Sequence, residues 1–300
     1  METNVSKEME SSIEAKSSRN KFLSHPVSRI VLGLLVCVLA FIIGQTLISK
    51  VLHVLDVDKN LRNLLKGIVS SILVISAYKM FFKYVEKREI TEISLQNFGR
   101  NLFLGLFIGV LLQSLTILVI YSSGGFTILS VNPLSHIIIP FTVAFTVAIF
   151  EEIIIRGILF RILEEKLGSY IALSISAIVF GALHLSNPNS SLLSALCIAI
   201  EAGILLGASY IYTRNLWFPI AIHFAWNFMQ SGIFGAITSG NEKTESLLKT
   251  KLEGATMITG GEFGPEGTIQ AIIFCGITGL ILLYLCKKNN LLFQPSWKRV

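Results

Sequence analysis

Apolar residues in this chain run in unbroken blocks rather than at helical or strand spacing, and short polar stretches separate the blocks. Crossing a bilayer core takes about 20 apolar residues of helix. Ile30–Ser49 is an uncharged run of that length. Leu64–Tyr84 is weaker, with Lys66, Lys79 and Lys83 near its ends, where long side chains can snorkel to water. Asn101–Phe150 carries no Asp, Glu, Lys or Arg, and Ser122-Ser123-Gly124-Gly125 and Asn132-Pro133 break it into two helices. Leu167–Ile200 is likewise uncharged and is interrupted at Ser186-Asn187-Pro188-Asn189-Ser190-Ser191. Asn215–Gly240 and Gly267–Cys286 complete the pattern. It predicts about eight spans, near 30–49, 64–84, 101–121, 134–163, 168–185, 191–212, 215–236 and 267–286.

The expected fold is therefore all-α, a polytopic membrane protein. The expected organisation is a polar cytoplasmic tail at 1–28, N-terminal transmembrane helices at 29–130, a second transmembrane domain at 131–286 and a second cytoplasmic tail at 287–300. Composition narrows the class. Of 300 residues, 52% are hydrophobic and 15% charged, against about 25% charged in an ordinary soluble domain. A soluble globule of this size could not hide that apolar surface. The net charge of +6 is dispersed, without the basic tract that would grip nucleic acid, so none is expected as a partner. With the N-terminus in the cytoplasm, 17 of the 25 Lys and Arg fall on inner segments and seven on outer loops. That bias places both termini inside and suits an integral protein of the cell membrane. Cys37, Cys197, Cys275 and Cys286 are isolated in apolar runs and show no CxxC spacing, so they read as small apolar side chains.

Ionisable groups inside hydrocarbon are costly, and each needs a reason. Four places stand out. In Glu151-Glu152-Ile153-Ile154-Ile155-Arg156-Gly157, Glu152 and Arg156 are spaced i,i+4 and pair on one helix face. Glu151 points about 100° away, free for chemistry. His184 closes Phe180-Gly181-Ala182-Leu183-His184. His223 and Asn227 are also i,i+4, two donors converging as an oxyanion site requires, with Pro219 upstream in a first helical turn. Glu201 has no obvious partner and reads as structural or substrate-lining, while Gly203 and Gly207 are spaced for close helix packing. His25, His53 and His136 carry no such pattern.

Two carboxylates, two histidines and an amide form a hydrolytic set. A carboxylate with His can deprotonate a water, and His with Asn can stabilise the oxyanion formed at a peptide carbonyl. The same groups could instead hold a water-activating divalent metal such as zinc, through Glu151, His184 and His223, although no HExxH is present. A proton-coupled transporter and a non-catalytic membrane immunity or scaffold protein are the competing readings. By helical rise, Glu151 lies roughly 22 Å and His184 roughly 24 Å from the inner end of their spans, but His223 only about 12 Å. Meeting at one depth requires irregular backbone before Pro219, which is tolerated where it lines a cavity.

The ordered set EEIIIRG, FGALH and HFAWN resembles the EExxxR, FxxxH and HxxxN motifs of the CPBP family. That family includes CAAX prenyl endoproteases of the Ras-converting type, lysostaphin-resistance-like proteins and Abi-type bacteriocin self-immunity proteases. Glu201–Gly207, Leu216–Ile220 and Gly260–Gly267 also look like bacterial members, so the likeness extends over about 135–285. It implies an intramembrane endopeptidase acting on membrane-associated peptides, CAAX-type prenylated ones among them. Glu151 would be the base on water with His184 assisting, Glu152 and Arg156 would support it, and His223 and Asn227 would line the oxyanion site. The family is often labelled metalloprotease, yet a glutamate mechanism without metal is also proposed for it. The long, Gly-rich stretch 237–266 is suited to covering the outer mouth of such a cavity.

Overall fold

The computed structural model describes residues 22–298. Most of the polar tail expected at 1–28, and the last two residues, lie outside the described residues. The architecture is helical, as the apolar blocks require. The helices are α1 (Pro26–Val54), α2 (Lys59–Val85), α3 (Phe98–Ser122), α4 (Ile138–Glu152), α5 (Arg161–Leu183), α6 (Leu192–Ile198), α7 (Leu205–Thr213), α8 (Trp217–Asn227) and α9 (Ile269–Lys288). Helix starts carry the expected chemistry. The Asp58 carboxylate accepts from the N–H groups of Asn60 and Leu61, and Ser191 and Ser194 form a reciprocal capping box.

Among the described residues six helical stretches are long and apolar enough to cross a membrane, not about eight. Two local features explain the difference. The fourth and fifth expected spans both fall within the stretch Leu134–Ser186 and part at Gly168, where the backbone leaves helical geometry. Gly168 adopts φ 75°, ψ 169°, and a Cβ there would lie 2.7 Å from the Phe293 carbonyl oxygen. The seventh expected span is short because Arg214 turns left-handed (φ 51°) and helix resumes only at Trp217. With Asn215 and Leu216 buried at this break, His223 meets Glu151 and Glu152.

Three helical stretches open into wider π-helical turns, Ile153–Phe160 after α4, Ala199–Ile204 between α6 and α7, and Phe228–Ile233 after α8. Such turns free backbone carbonyls and re-aim side chains, and they concentrate at functional sites. Glycines let backbones meet. Gly105 and Gly109 of α3 face α8, where a Cβ on Gly109 would sit 2.4 Å from the Ile222 carbonyl oxygen. Gly203 and Gly207 abut Ala177 and Leu173 of α5, the close packing that their spacing suggested.

The stretch after α8 is built rather than loose. Leu248–Leu252 (β2) pairs antiparallel with Phe126–Val131 (β1), a small ribbon that the apolar blocks did not announce. Asn187 Nδ2 donates to the Ser239 carbonyl at 2.7 Å, and the backbone N–H of Asn189 donates to Gly240 O at 3.1 Å. These bonds hold 237–241 against the turn that follows His184.

Charge gathers where α1 begins, α2 ends and α5 begins. Arg29 donates to Glu86 at 2.7 Å and to both Glu165 oxygens at 2.6 and 2.8 Å. Arg161 donates to Glu86 at 3.0 Å, and Arg88 bonds Glu86 and Glu92. Burial works to raise the Glu86 carboxyl, but the bonds from Arg29 and Arg161 outweigh it and leave it below its ordinary value. Glu92 is likewise held low, by Arg88 and the Tyr78 hydroxyl against its burial.

Candidate active site

The end of α4 carries Glu151 and Glu152 into the centre of the helix packing. Glu152 is fully buried and Arg156 is 1% exposed, and Arg156 Nη1 donates to Glu152 Oε1 at 2.8 Å. The π-helical turn makes this pair do more than a surface i,i+4 bridge. Arg156 Nη2 donates to the carbonyls of Ala202 and Gly203 at 3.0 and 3.3 Å, within the second π-helical turn, and its guanidinium lies 4.7 Å from the Phe180 ring. One cation thus joins three segments that are remote in sequence.

His223 sits between the two carboxylates. Its Nδ1 is 3.0 Å from Glu152 Oε1 and its Nε2 is 3.8 Å from Glu151 Oε2. The Arg156-paired carboxylate can only accept, so Nδ1 carries the hydrogen and donates. In the neutral ring Nε2 is then an acceptor, aimed towards Glu151. It donates only as imidazolium. The sequence reading treated His223 simply as a donor, and this orientation refines that expectation.

Glu151 Oε2 is buried and has no hydrogen-bonding partner within the protein. Glu151, His184, His223 and Asn227 all line one cavity of about 740 Å³. His184 lies one helical turn beyond Phe180, and its Nδ1 is 2.8 Å from the Phe180 carbonyl. Nδ1 therefore donates and Nε2 is left open. Among the described residues no hydrogen bond joins His184 to Glu151 or His223. Phe180 stands between the two imidazoles, with centroids 4.8 Å from His184 and 6.2 Å from His223. Asn227 is buried one turn beyond His223 on α8.

The donor set was tested against a metal held by Glu151, His184 and His223. Among the described residues no three or more His, Cys, Asp or Glu side chains gather closely enough to hold one ion. As placed, Glu151, His184 and His223 do not form such a centre.

Two further carboxylates line the same cavity, Glu201 and Glu266. Glu201 was legible as an intramembrane acid. Glu266 was visible only within the glycine-rich Gly260–Gly267 segment and carried no sign of its partner. Gly264, at φ 105° with its Cβ position 2.0 Å from Ile237 O, permits the close turn that turns Glu266 inward. Glu266 Oε2 accepts from Ser239 N at 2.5 Å and from Ser239 Oγ at 3.0 Å. On this connection ahead of α9, burial pushes the Glu266 carboxyl above its ordinary value, against the lowering from Ser239 and from the charge of His184. Phe180, the platform under Arg156, was noticed only as part of a motif.

A helical bundle that brings Glu151, two imidazoles and a carboxamide to one cavity, with Glu152 buried behind His223, has the makings of an intramembrane hydrolase. The comparison with known families agrees. The family model for Rce1-like proteins, described as type II CAAX prenyl endopeptidase Rce1-like, matches residues 133–229, and with it the resemblance to the CPBP and CAAX protease family holds. The match supports a membrane-embedded protease, a hydrolase acting within the bilayer on peptide substrates. No curated protein and no solved structure matches the chain.

Proposed function

We propose that the chain is an endopeptidase that cleaves membrane-associated peptides, CAAX-type prenylated ones within its class, by direct attack of water. The observation that carries this reading is the approach of Glu151 Oε2 to His223 Nε2, 3.8 Å apart at the wall of a cavity that His184 and Asn227 share. A single water can bond both atoms at about 2.8 Å.

In this mechanism Glu151 takes a proton from the water as its oxygen bonds to the peptide carbonyl carbon. The Asn227 amide donates to the oxyanion that forms, and the protonated form of His223 adds its Nε2–H. The carbon–nitrogen bond then breaks, and Glu151 returns the proton to the leaving amine. Glu152 acts through His223, fixing its tautomer and ring plane, and Arg156 holds Glu152. His184, its Nδ1 committed to Phe180, presents Nε2 to the substrate.

The test uses the purified full chain in detergent micelles with quenched-fluorescence peptides. Glu151→Gln should lower kcat by about 10²–10⁴ with KM little changed. Unchanged cleavage would remove Glu151 from the chemistry. Convergence on one cavity favours hydrolysis over a relay, which would string the same groups along a path.

A further inference from the structure

The proposed chemistry leaves Glu201 and Glu266 unused. Glu201 is 2% exposed, lines the cavity, and has both carboxylate oxygens buried without a partner in the protein. It is held there by construction. Gly203, two residues on, is pressed against Ala177, and Arg156 grips the Ala202 and Gly203 carbonyls, so the wider turn cannot rotate Glu201 away. Arg156 is itself committed to Glu152. Glu266, 3% exposed, is fixed by Ser239 and lies within electrostatic reach of Glu201.

Glu151, Glu201, Glu242 and Glu266 line the cavity with His184 and His223, and among the described residues no Lys or Arg does. Two neighbouring carboxylates in a poorly solvated site repel each other, and a positive charge between them offsets both the repulsion and the desolvation. A neutral apolar group in the same place leaves Glu201 unpaired. We propose that Glu201, with Glu266 on the same cavity wall, forms a specificity subsite for a cationic side chain, Lys or Arg, next to the scissile bond. The inference rests on the endopeptidase reading, and its test separates the two.

The experiment uses N-acetylated quenched peptides bearing an acyl anchor, in which Lys, Arg or norleucine is scanned across positions flanking the cleaved bond. With the unaltered full chain in micelles, the best Lys or Arg position should give kcat/KM at least about tenfold above norleucine there. In Glu201→Gln and in Glu266→Gln that ratio should fall towards one. Equal rates for Lys, Arg and norleucine at every position, or a ratio unmoved in Glu201→Gln, would overturn the subsite. So would a preference that needs a free N-terminus and vanishes on acetylation, since the cation would then be the α-amine. Binding of non-cleavable reduced-amide versions is measured in parallel. Lys binding at least about tenfold tighter than norleucine supports the subsite even if no peptide is cleaved, and equal binding overturns it. Absent cleavage of every peptide, or undiminished cleavage by Glu151→Gln, instead strikes the endopeptidase reading.

Discussion

Replacing Glu152 by Gln changes one atom and little volume, yet it removes the only carboxylate bonded to Arg156 among the described residues and the acceptor of His223 Nδ1. Both members of the pair are 0–1% exposed, so water cannot take over. Taking one partner from a buried pair costs about 3–5 kcal/mol. Arg156 would keep the Ala202 and Gly203 carbonyls and the Phe180 face, which points to the low end, about 3 kcal/mol, or about two powers of ten in the folding equilibrium. Catalysis should suffer separately. A Gln amide can donate to Nδ1 as well as accept from it, so the ring loses its defined tautomer, and kcat should fall by about 10²–10⁴. Reversible unfolding in mixed micelles measures the first effect and peptide cleavage the second. Glu152→Gln/Arg156→Met removes the stranded cation and should recover most of the stability, while activity stays low. A single variant that loses less than about 0.5 kcal/mol, or a double variant no more stable than the single, would refute the buried-pair reasoning.

Gly109→Val should cost about 1–3 kcal/mol and lower cleavage at least tenfold, because its Cβ meets the Ile222 carbonyl and pushes the helix that carries His223. Gly99→Val, whose Cβ meets nothing within 4 Å, is the control in both assays. The Glu86 and Glu92 carboxyls are held below the ordinary 4.5, so their contribution is full above that pH and is lost as pH falls through the lower folded-state values. Thermal midpoints should drop below about pH 4.5, and the drop should flatten in Glu86→Gln/Glu92→Gln; an unchanged profile would contradict this linkage. Because no three-donor group gathers at the cavity among the described residues, exhaustive chelation should leave cleavage unchanged, and a loss restored by zinc would overturn the metal-free mechanism.

Much of the helical class is written in runs of uncharged residues, because a segment that long has few other ways to bury its backbone and side chains in a bilayer. Two local pairings are legible for the same reason of range: Glu152 with Arg156, and His223 with Asn227, are set by 3.6 residues per turn. What lies beyond one turn was not legible. The break at Gly168 and the left-handed Arg214 each follow from a single backbone angle, yet they decide where one helix ends and the next begins. Nor does any spacing reveal which imidazole nitrogen of His223 meets Glu152, since that depends on α8 being seated by Gly105 and Gly109 of α3. Glu201 and Glu266 stand 65 positions apart, and no periodicity links them. Local rules assign each side chain its helix face. Only the packing of distant segments, driven by close glycine contacts and by one buried arginine reaching across three of them, decides which faces meet.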